Sequence, residues 1–479
     1  MPQLVADCLN EIFEYLDDDY DDYDNFTLHS CMLVNRLWCE VSVRILWRDT
    51  SNYSTSNIKT LIGCLPNESR DILQNNEINI SPSTSKLPIF NYASFCEVLS
   101  VNEIHDKLEK LLEQSITIVE QEILKLFMNQ IPSLKRLEII EFDTLELWKN
   151  TSIISYPEIK DCLKNLTELC CNSDNSSEFI CQLSNVCHSI LHLELIVYSY
   201  ISDELANLIS AQKSLEYIDI RIEVDYPDLS NLLSIELPNT LTKLTLYEET
   251  RIFEISLLFI TKFINLKELE ISFRYSKSFK DFEILQHTYF PQLQILELEH
   301  AIPKLKLLIK FLEISGKNLK KIYLGEYEGY YNNTSNNSLN LAIAEFCPNL
   351  RKLSTVIRKK ELKSFKKILD NCQHLESITI RCGDSYLNEK ESLEAVVKYS
   401  KSIHKIELNY HYDDIKLGIL PEELESFFVS WSNCISRKSL SLKIITSDVV
   451  NSLDANEDNM KIIDKYIKLG VIKKFKVII

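Results

Sequence analysis

The chain has 479 residues, of which 45% are hydrophobic and 25% charged, and its net charge is −18. This hydrophobic content is ample for a core, and a chain of this length needs several domains or an elongated architecture. The negative charge repels phosphate backbones, so the composition argues against nucleic acid as a main partner.

The sequence shows no targeting segment. Residues 1–16 lack a basic stretch followed by an apolar run, so no secretory signal is expected. No run of about 18 uncharged apolar residues occurs, so no membrane span is expected either. We therefore expect a cytoplasmic or nuclear location, in which the 14 cysteines stay reduced. Most of them fall at apolar positions of periodic segments, which predicts burial.

Two helices are predicted at the N-terminus. Residues 7–16 have apolar side chains at helical spacing. A second helix is predicted after an N-cap at Thr27, and its apolar positions continue to Leu46. The segment between the helices carries aspartates that repel one another and is expected to be a solvated loop. These aspartates are Asp17, Asp18, Asp19, Asp21, Asp22 and Asp24.

Residues 50–128 lack the repeat that follows and are predicted to form a linker of helices and loops. The polar segment 75–88 is expected to be a loop, as is 327–338 further along the chain. Residues 101–128 are predicted to be helical, because apolar residues recur there at helical spacing. These residues are Ile104, Leu108, Leu111, Leu112 and Ile116.

From residue 134 onward, the pattern Leu-x-x-Leu-x-Leu recurs with apolar exchanges. Eleven copies start 24 to 32 residues apart, a regularity that chance would not produce. A period of this length is typical of repeat architectures. The copies start at Leu134, Leu166, Ile190, Leu215, Leu241, Leu266, Leu293, Leu319, Leu350, Leu375 and Ile403.

At the end of each copy, apolar and other side chains alternate as they do in a short strand, with Leu296 on one face and Glu297 on the other. Amphipathic stretches such as 365–373 precede the strands and predict helices. Stacked units of helix, turn and strand would share one core. The predicted fold class is therefore α/β: a leucine-rich-repeat solenoid with a curved parallel sheet inside and helices outside, after a small all-α module. Closing strands are predicted at 440–445 and 472–479.

The N-terminal segment resembles an F-box over about 45 residues. The family pattern is Leu-Pro, a carboxylate, a Leu-x-x-Ile-Phe-x-Tyr-Leu helix, then Val-Cys-Lys-x-Trp and Leu-Trp-Arg. Here Val5 replaces the proline and Asn35 the cysteine, and the acidic loop is longer than usual. The repeats are similar to the cysteine-containing type of F-box proteins, with cysteines at 187, 347 and 372. The matching residues of the F-box-like segment are Leu4, Asp7, Leu9, Ile12, Phe13, Tyr15, Leu16, Val34, Arg36, Trp38, Leu46, Trp47 and Arg48.

The resemblance implies a role in ubiquitination. F-box proteins bind a Skp-type adaptor and so join a cullin-RING ligase, while their repeats hold a protein substrate. This chain would thus be the substrate-recognition subunit of an SCF-type (Skp-cullin-F-box) E3 ubiquitin ligase. The alternative is a non-catalytic leucine-rich-repeat scaffold with no ubiquitin link, whose N-terminal helices cap the repeats. The residues implied to bind the adaptor or to form its binding module are Leu4, Leu9, Ile12, Phe13, Leu16, Val34 and Trp38.

The sequence gives no positive support for an enzyme, a metal site or a cofactor. Cys181, Cys187, His188 and His192 have a spacing that superficially suggests zinc, but paired ligands in the usual zinc arrangement are missing. The acidic run lacks the glycine and terminal glutamate of a calcium loop. No nucleophile elbow, zinc-protease motif or glycine-rich phosphate loop occurs, and only 7 glycines are present.

Three segments are predicted: an F-box-like module at 1–49, the linker at 50–128 and the repeat solenoid at 129–479. The predicted substrate surface is the strand face of the repeats. Outward glutamates of consecutive repeats predict an acidic patch there, which would favour a basic protein partner. These glutamates are Glu268, Glu270, Glu297 and Glu299.

Overall fold

The structure is a computed structural model, and it divides into two compact units. The first comprises residues 1–219 with 234–240, and the second residues 220–233 with 241–479. The predicted segment boundaries after residues 49 and 128 both fall inside the first unit, so the division into two units does not test them. The structure describes residues 5–16, 24–78, 80, 88–112, 115–140, 157–224, 227–234, 236, 238–248, 254–325, 337–383, 385–410, 418–434, 438–446 and 452–478.

The first unit starts with helices and continues with strands that alternate with helices. Its helices are α1 Ala6–Glu14, α2 Asp24–Met32, α3 Arg36–Leu46, α4 Thr55–Cys64, α5 Asn67–Asn75, α6 Val101–Glu109, α7 Ile116–Gln130, α8 Pro157–Leu163, α9 Ser177–Val186 and α10 Asp203–Ser210. Its strands are β1 Val98–Ser100, β2 Arg136–Ile139, β3 Glu168–Asn172 and β4 His192–Val197. Two further elements, β5 Tyr217–Ile222 and α11 Asn231–Ser234, each contain a boundary between the units.

Strands β1 to β4 pair in parallel and in chain order. Leu99, Leu137, Leu169 and Leu193 lie opposite one another in this register, and each is at most 1% exposed. Such a row excludes water from one face of the strands, and each buried leucine contributes about 2 kcal/mol to stability. The Leu-x-x-Leu-x-Leu motif thus places its fourth residue in the core.

Strand β1 was not predicted, because the repeat was expected to be absent between residue 51 and about residue 126. Its sequence, Val-Leu-Ser, is only three residues long and presents a single inward leucine, Leu99. Its pairing with β2 adds a strand before the first copy of the motif. Helices α4 and α5 also lie in this region, which was predicted to contain helices and loops but without bounds for these two.

The second unit carries the longer series of repeats. Its strands are β6 Lys243–Glu248, β7 Ile255–Ser256, β8 Glu268–Phe273, β9 Phe279–Lys280, β10 Ile295–His300, β11 Lys321–Leu324, β12 Lys352–Ser354, β13 Ser377–Cys382, β14 Lys405–Tyr410, β15 Leu440–Ile445 and β16 Ile472–Ile478. Its helices are α12 Phe282–Leu285, α13 Leu305–Ser315, α14 Asn337–Phe346, α15 Leu362–Asn371, α16 Glu389–Tyr399, α17 Pro421–Ser432 and α18 Glu457–Lys468.

The repeat fold predicted from the motif is confirmed in this unit. Strands β6, β8 and β10 to β16 pair in parallel in that order, and the helices from α13 to α18 pack successively against one another. The two predicted closing strands are β15 and β16, with a register shift between Leu440 and Ser441. One departure lies between β6 and β10, where the short parallel pair β7–β9, 3-10 turns and the single-turn α12 replace full helices.

Cysteines at the repeat position link successive repeats. The Cys372 thiol donates to the carbonyl of Cys347 over 3.3 Å, and the Cys187 thiol donates to the carbonyl of Leu163 over 3.5 Å. Burial raises the pKa of Cys187 to about 12. These thiols therefore stay protonated at neutral pH and act as small buried donors rather than as nucleophiles.

Glu389, the first residue of α16, makes stability depend on pH. Burial raises its pKa from 4.5 to about 7, although the hydrogen bond from Ile419 N, 3.1 Å long, opposes the shift. Between these values the folded protein keeps a proton that the unfolded chain releases, so stability should fall as pH rises through this window.

The substitution Glu389→Gln tests this dependence. In wild type, the urea concentration at the unfolding midpoint should decrease between about pH 5 and about pH 7.5. In the variant this decrease should be smaller, since glutamine does not titrate. The measurement is urea unfolding of both proteins at the two pH values. Equal slopes for wild type and variant would rule out Glu389 as the source.

Candidate functional site

The N-terminal helices α1, α2 and α3 form a small core of their own, here called the N-terminal module. The Phe13 and Trp38 rings meet edge-to-face with centroids 5.1 Å apart. Ser42 Oγ donates to the Trp38 carbonyl over 2.8 Å, which ties the tryptophan's turn of α3 together. The buried side chains of this core are Leu9, Phe13, Leu28, Cys31, Val41 and Ile45, and Leu16, Leu37, Trp38 and Leu46 pack against it.

The second predicted helix is two helices. Helix α2 ends at Met32, and α3 starts at Arg36 after an N-cap at Asn35, whose Oδ1 accepts from Trp38 N over 3.0 Å. An asparagine side chain competes for backbone donors and favours a cap over a helix interior. The residue that departs from the family's cysteine therefore starts a helix here, and it leaves Val34 in the turn.

The predicted adaptor-binding residues separate into two groups. Leu9 and Phe13 are each 1% exposed and lie in the core of the module with the half-buried Leu16 and Trp38. Ile12 and Val34 are 48% and 57% exposed. Leu4 lies outside the described residues. Of the predicted residues that the structure describes, Ile12 and Val34 alone can make extensive contact with a partner without rearrangement of the module.

Three other exposed apolar residues of the module were not among those predicted to bind the adaptor. Val5, Tyr15 and Leu33 are 63%, 76% and 88% exposed. Leu33 immediately precedes Val34 in the turn between α2 and α3, and Tyr15 follows the last residue of α1. The helix break at Asn35 was the signal that could have identified the turn residues, because it removes them from the packed face.

The end of α3 is joined to the first strand. The Arg48 carbonyl accepts from Glu97 N and Val98 N over 2.8 and 3.0 Å. Trp47 is 8% exposed and packs on Tyr53 and Tyr92, with centroids 5.1 and 4.4 Å apart. Trp47 is therefore part of this junction and does not face a partner.

The strand face of the second unit brings the four predicted glutamates together. Glu270 lies opposite Glu297 in the pairing of β8 with β10, and Glu299 lies opposite Ser272. Two lysines lie beside them. Lys243 Nζ lies 3.7 Å from Glu268 and 3.2 Å from Glu270, and Lys321 forms an ion pair with Glu297. The negative charge of the expected patch is therefore partly neutralised.

The strand face of the first unit carries an ion network of its own. Arg136 Nη1 lies 3.2 Å from Glu168, and its Nη2 lies 3.5 Å from Glu194. His192 Nε2 lies 2.7 Å from Asp219, and this hydrogen bond raises the pKa of His192. Arg136 of β2 thus contacts Glu168 of the adjacent β3 and Glu194 of β4, and His192 of β4 contacts Asp219 of β5, as expected for stabilising cross-strand contacts.

The described part of the chain contains no cluster of three or more His, Cys, Asp or Glu side chains that could hold a metal ion. All 14 cysteines are free. The spacing of Cys181 to His192 does not produce a metal-like cluster, because Cys187 is buried and His192 is bonded to Asp219. No described helix has both the length and the apolar character needed to cross a membrane.

Comparison with known proteins gives similarity at low levels only. No protein-family model matches the sequence, and no curated protein matches it. The leucine-rich repeat-containing protein LegL7 from Legionella pneumophila is 12% identical, with 71% of this chain and 93% of that chain covered and a TM-score of 0.33. TLR13, solved as a complex with ssRNA13, is 11% identical, with 73% of this chain and 65% of that chain covered and a TM-score of 0.31.

Proposed function

We propose that the chain is a non-catalytic substrate receptor of an SCF-type ubiquitin ligase in the cytoplasm or nucleus. In this role, the N-terminal module binds a Skp-type adaptor, which joins the chain to a cullin-RING ligase. The repeats hold a protein substrate on their strand face. The observation that carries the proposal is the exposure of Ile12 and Val34 on a module that already has a complete core.

The exposed apolar side chains need an explanation, because the module does not require them for its own packing. Burying an isoleucine or valine against a partner contributes about 2 kcal/mol each. A few well-buried residues at the centre of an interface typically carry most of its affinity, so two such contacts could decide whether the adaptor binds. The F-box resemblance places both residues among those expected to meet the adaptor.

The plain scaffold remains the second candidate, and one observation favours it. The hydrogen bonds that the Arg48 carbonyl accepts from Glu97 N and Val98 N attach the module to the start of β1. A helical cap on a repeat stack would need the same attachment. The two functions differ in whether an adaptor binds.

The test is titration of the purified full-length chain with a purified Skp-type adaptor. Wild type should bind, and Ile12→Asp/Val34→Asp should weaken binding by about 100-fold or more, because two carboxylates would be buried in an apolar interface. The matched control is Ile72→Asp, at an exposed apolar position on α5 outside the module, and it should leave affinity unchanged. A folded wild type that does not bind would reject the ligase role and leave the scaffold.

A further inference from the structure

The strand face of the second unit changes the sign of its charge along the series of repeats. On β6, β8 and β10 the outward charges are Lys243 and the four predicted glutamates. From β11 onward, the register aligns a row of outward positions without a carboxylate. This row is Lys321, Lys352, Ser377, Lys405, Ser441 and Lys474.

The next outward row adds further positive charge. Glu407, Lys443 and Lys476 lie opposite one another on β14, β15 and β16. Lys443 Nζ lies 2.7 Å from Glu407, so this pair is neutral, and Lys476 is exposed. The outward side of β11–β16 is called the basic strand face below. Its six lysines stand against one glutamate, in a chain whose net charge is −18.

Several of these lysines have no carboxylate partner. Lys352, Lys405 and Lys474 are exposed, and none of them forms an ion pair with any described residue. Lys352 lies directly opposite Lys321, a like-charge arrangement that destabilises a sheet. These three lysines therefore do not stabilise the fold through ion pairs, unlike Lys321 and Lys443.

Protection of a sheet edge explains only part of the set. Lysines on an edge strand prevent unwanted pairing with other chains, and β16 is the last strand in the sheet order. Lys352 and Lys405 lie on β12 and β14, each of which is paired on both sides. Protection of a sheet edge therefore does not explain the charges of Lys352 and Lys405.

An open groove borders the basic strand face. It has a volume of about 420 Å³ and is formed by the turns before β10 to β13. Lys320 and Arg351, which line it, immediately precede Lys321 and Lys352 of the basic row. Arg351 is only weakly engaged, since its Nη1 lies 3.5 Å from Glu376, whose side chain is partly exposed. The groove thus extends the positive surface beyond the strands.

We propose that the basic strand face and this groove bind an acidic, extended segment of a protein partner. The assignment rests on the proposed role of the repeats as substrate receptor, and it specifies an acidic substrate where the glutamates alone had indicated a basic one. Neighbouring strands are about 4.8 Å apart, so the row from β11 to β16 spans roughly 24 Å, which an extended peptide of about seven residues would cover.

A single-stranded nucleic acid fits this surface less well. Proteins that hold single strands combine basic residues with aromatic side chains that stack on bases. Only Tyr323 is aromatic in the two outward rows of β11–β16. The strong negative charge of the whole chain also repels a long polyanion more than a short acidic segment.

The test measures binding of a fluorescein-labelled peptide of alternating Glu and Ser to the full-length chain by fluorescence anisotropy. A Gln-Ser peptide of equal length is the neutral control. Wild type should bind the acidic peptide, and raising the salt should weaken binding. Lys352→Glu/Lys405→Glu should reduce affinity by about tenfold or more, and Lys352→Gln/Lys405→Gln by less.

The matched control is Lys306→Glu/Lys310→Glu, which makes the same charge change at exposed positions of α13 and should change affinity by less than about twofold. Circular dichroism checks that every variant is folded. Equal binding of the neutral peptide, equal loss in the control, or tighter binding of an oligothymidylate of equal charge would each overturn the proposal.

The two proposals fail separately. Ile12→Asp/Val34→Asp should still bind the acidic peptide, and Lys352→Glu/Lys405→Glu should still bind the adaptor. If wild type does not bind the adaptor, the ligase role alone is rejected. If wild type does not bind the acidic peptide, the acidic substrate alone is rejected.

Discussion

Replacing Gly325 by alanine is expected to lower the free energy of unfolding by about 3 kcal/mol. Gly325 follows β11, and its N–H donates to the Leu298 carbonyl of β10 over 2.6 Å. An added Cβ would overlap the backbone nitrogen of His300 and lie 3.0 Å from the carbonyl carbon of Glu299. Backbone atoms cannot rotate away as a side chain can, so β10 and β11 would have to separate locally.

Gly470→Ala provides the matched control. Gly470 has a φ of +73°, and a Cβ there would meet nothing within 4 Å. The control should therefore cost only the strain of a left-handed residue, about 1 kcal/mol. Urea unfolding of the three proteins measures both effects. The explanation fails if Gly325→Ala is no more destabilising than Gly470→Ala.

Replacing Phe13 by alanine is expected to unfold the N-terminal module. Phe13 is 1% exposed and is the larger of the two buried residues of α1. Its truncation should cost about 3–5 kcal/mol, because it leaves a cavity in the core and also removes the contact with the Trp38 ring. A core this small cannot absorb such a loss, so the amides of α1, α2 and α3 should lose their protection from hydrogen exchange.

Ile12→Ala is the control on the same helix. Ile12 is 48% exposed, and its truncation should cost less than about 1 kcal/mol and leave exchange protection intact. Hydrogen exchange with mass spectrometry distinguishes the two variants. Similar protection of the module in both would show that Phe13 does not hold it together.

Much of the repeat fold could be predicted from the sequence, because its determinants are local and periodic. A leucine or isoleucine at the fourth position of each motif must be buried, and this requirement recurs at a spacing that selects stacked strands. Strand β1 escaped prediction because three residues with one inward leucine carry too little periodic signal. The short elements between β6 and β10 escaped because their apolar residues do not distinguish a helix from tight turns.

The role of individual side chains in the N-terminal module depended on the tertiary structure. Ile12 and Phe13 are adjacent in sequence and both apolar, yet one is exposed and the other buried. The direction in which each points is set by where α2 and α3 lie, and the break at Asn35 changed that position. A family pattern names both residues without separating the surface from the core.

The charge of the strand face shows the same division. The sequence by itself determined that outward residues of the repeats are polar and that four glutamates occur in neighbouring copies. Only the register decided that Lys243 and Lys321 lie beside them, and that Lys352 and Lys405 lie in one row without carboxylates. Electrostatic pairing acts over a few ångströms between strands some 25 to 30 residues apart, and their spacing in the sequence does not specify the pairs.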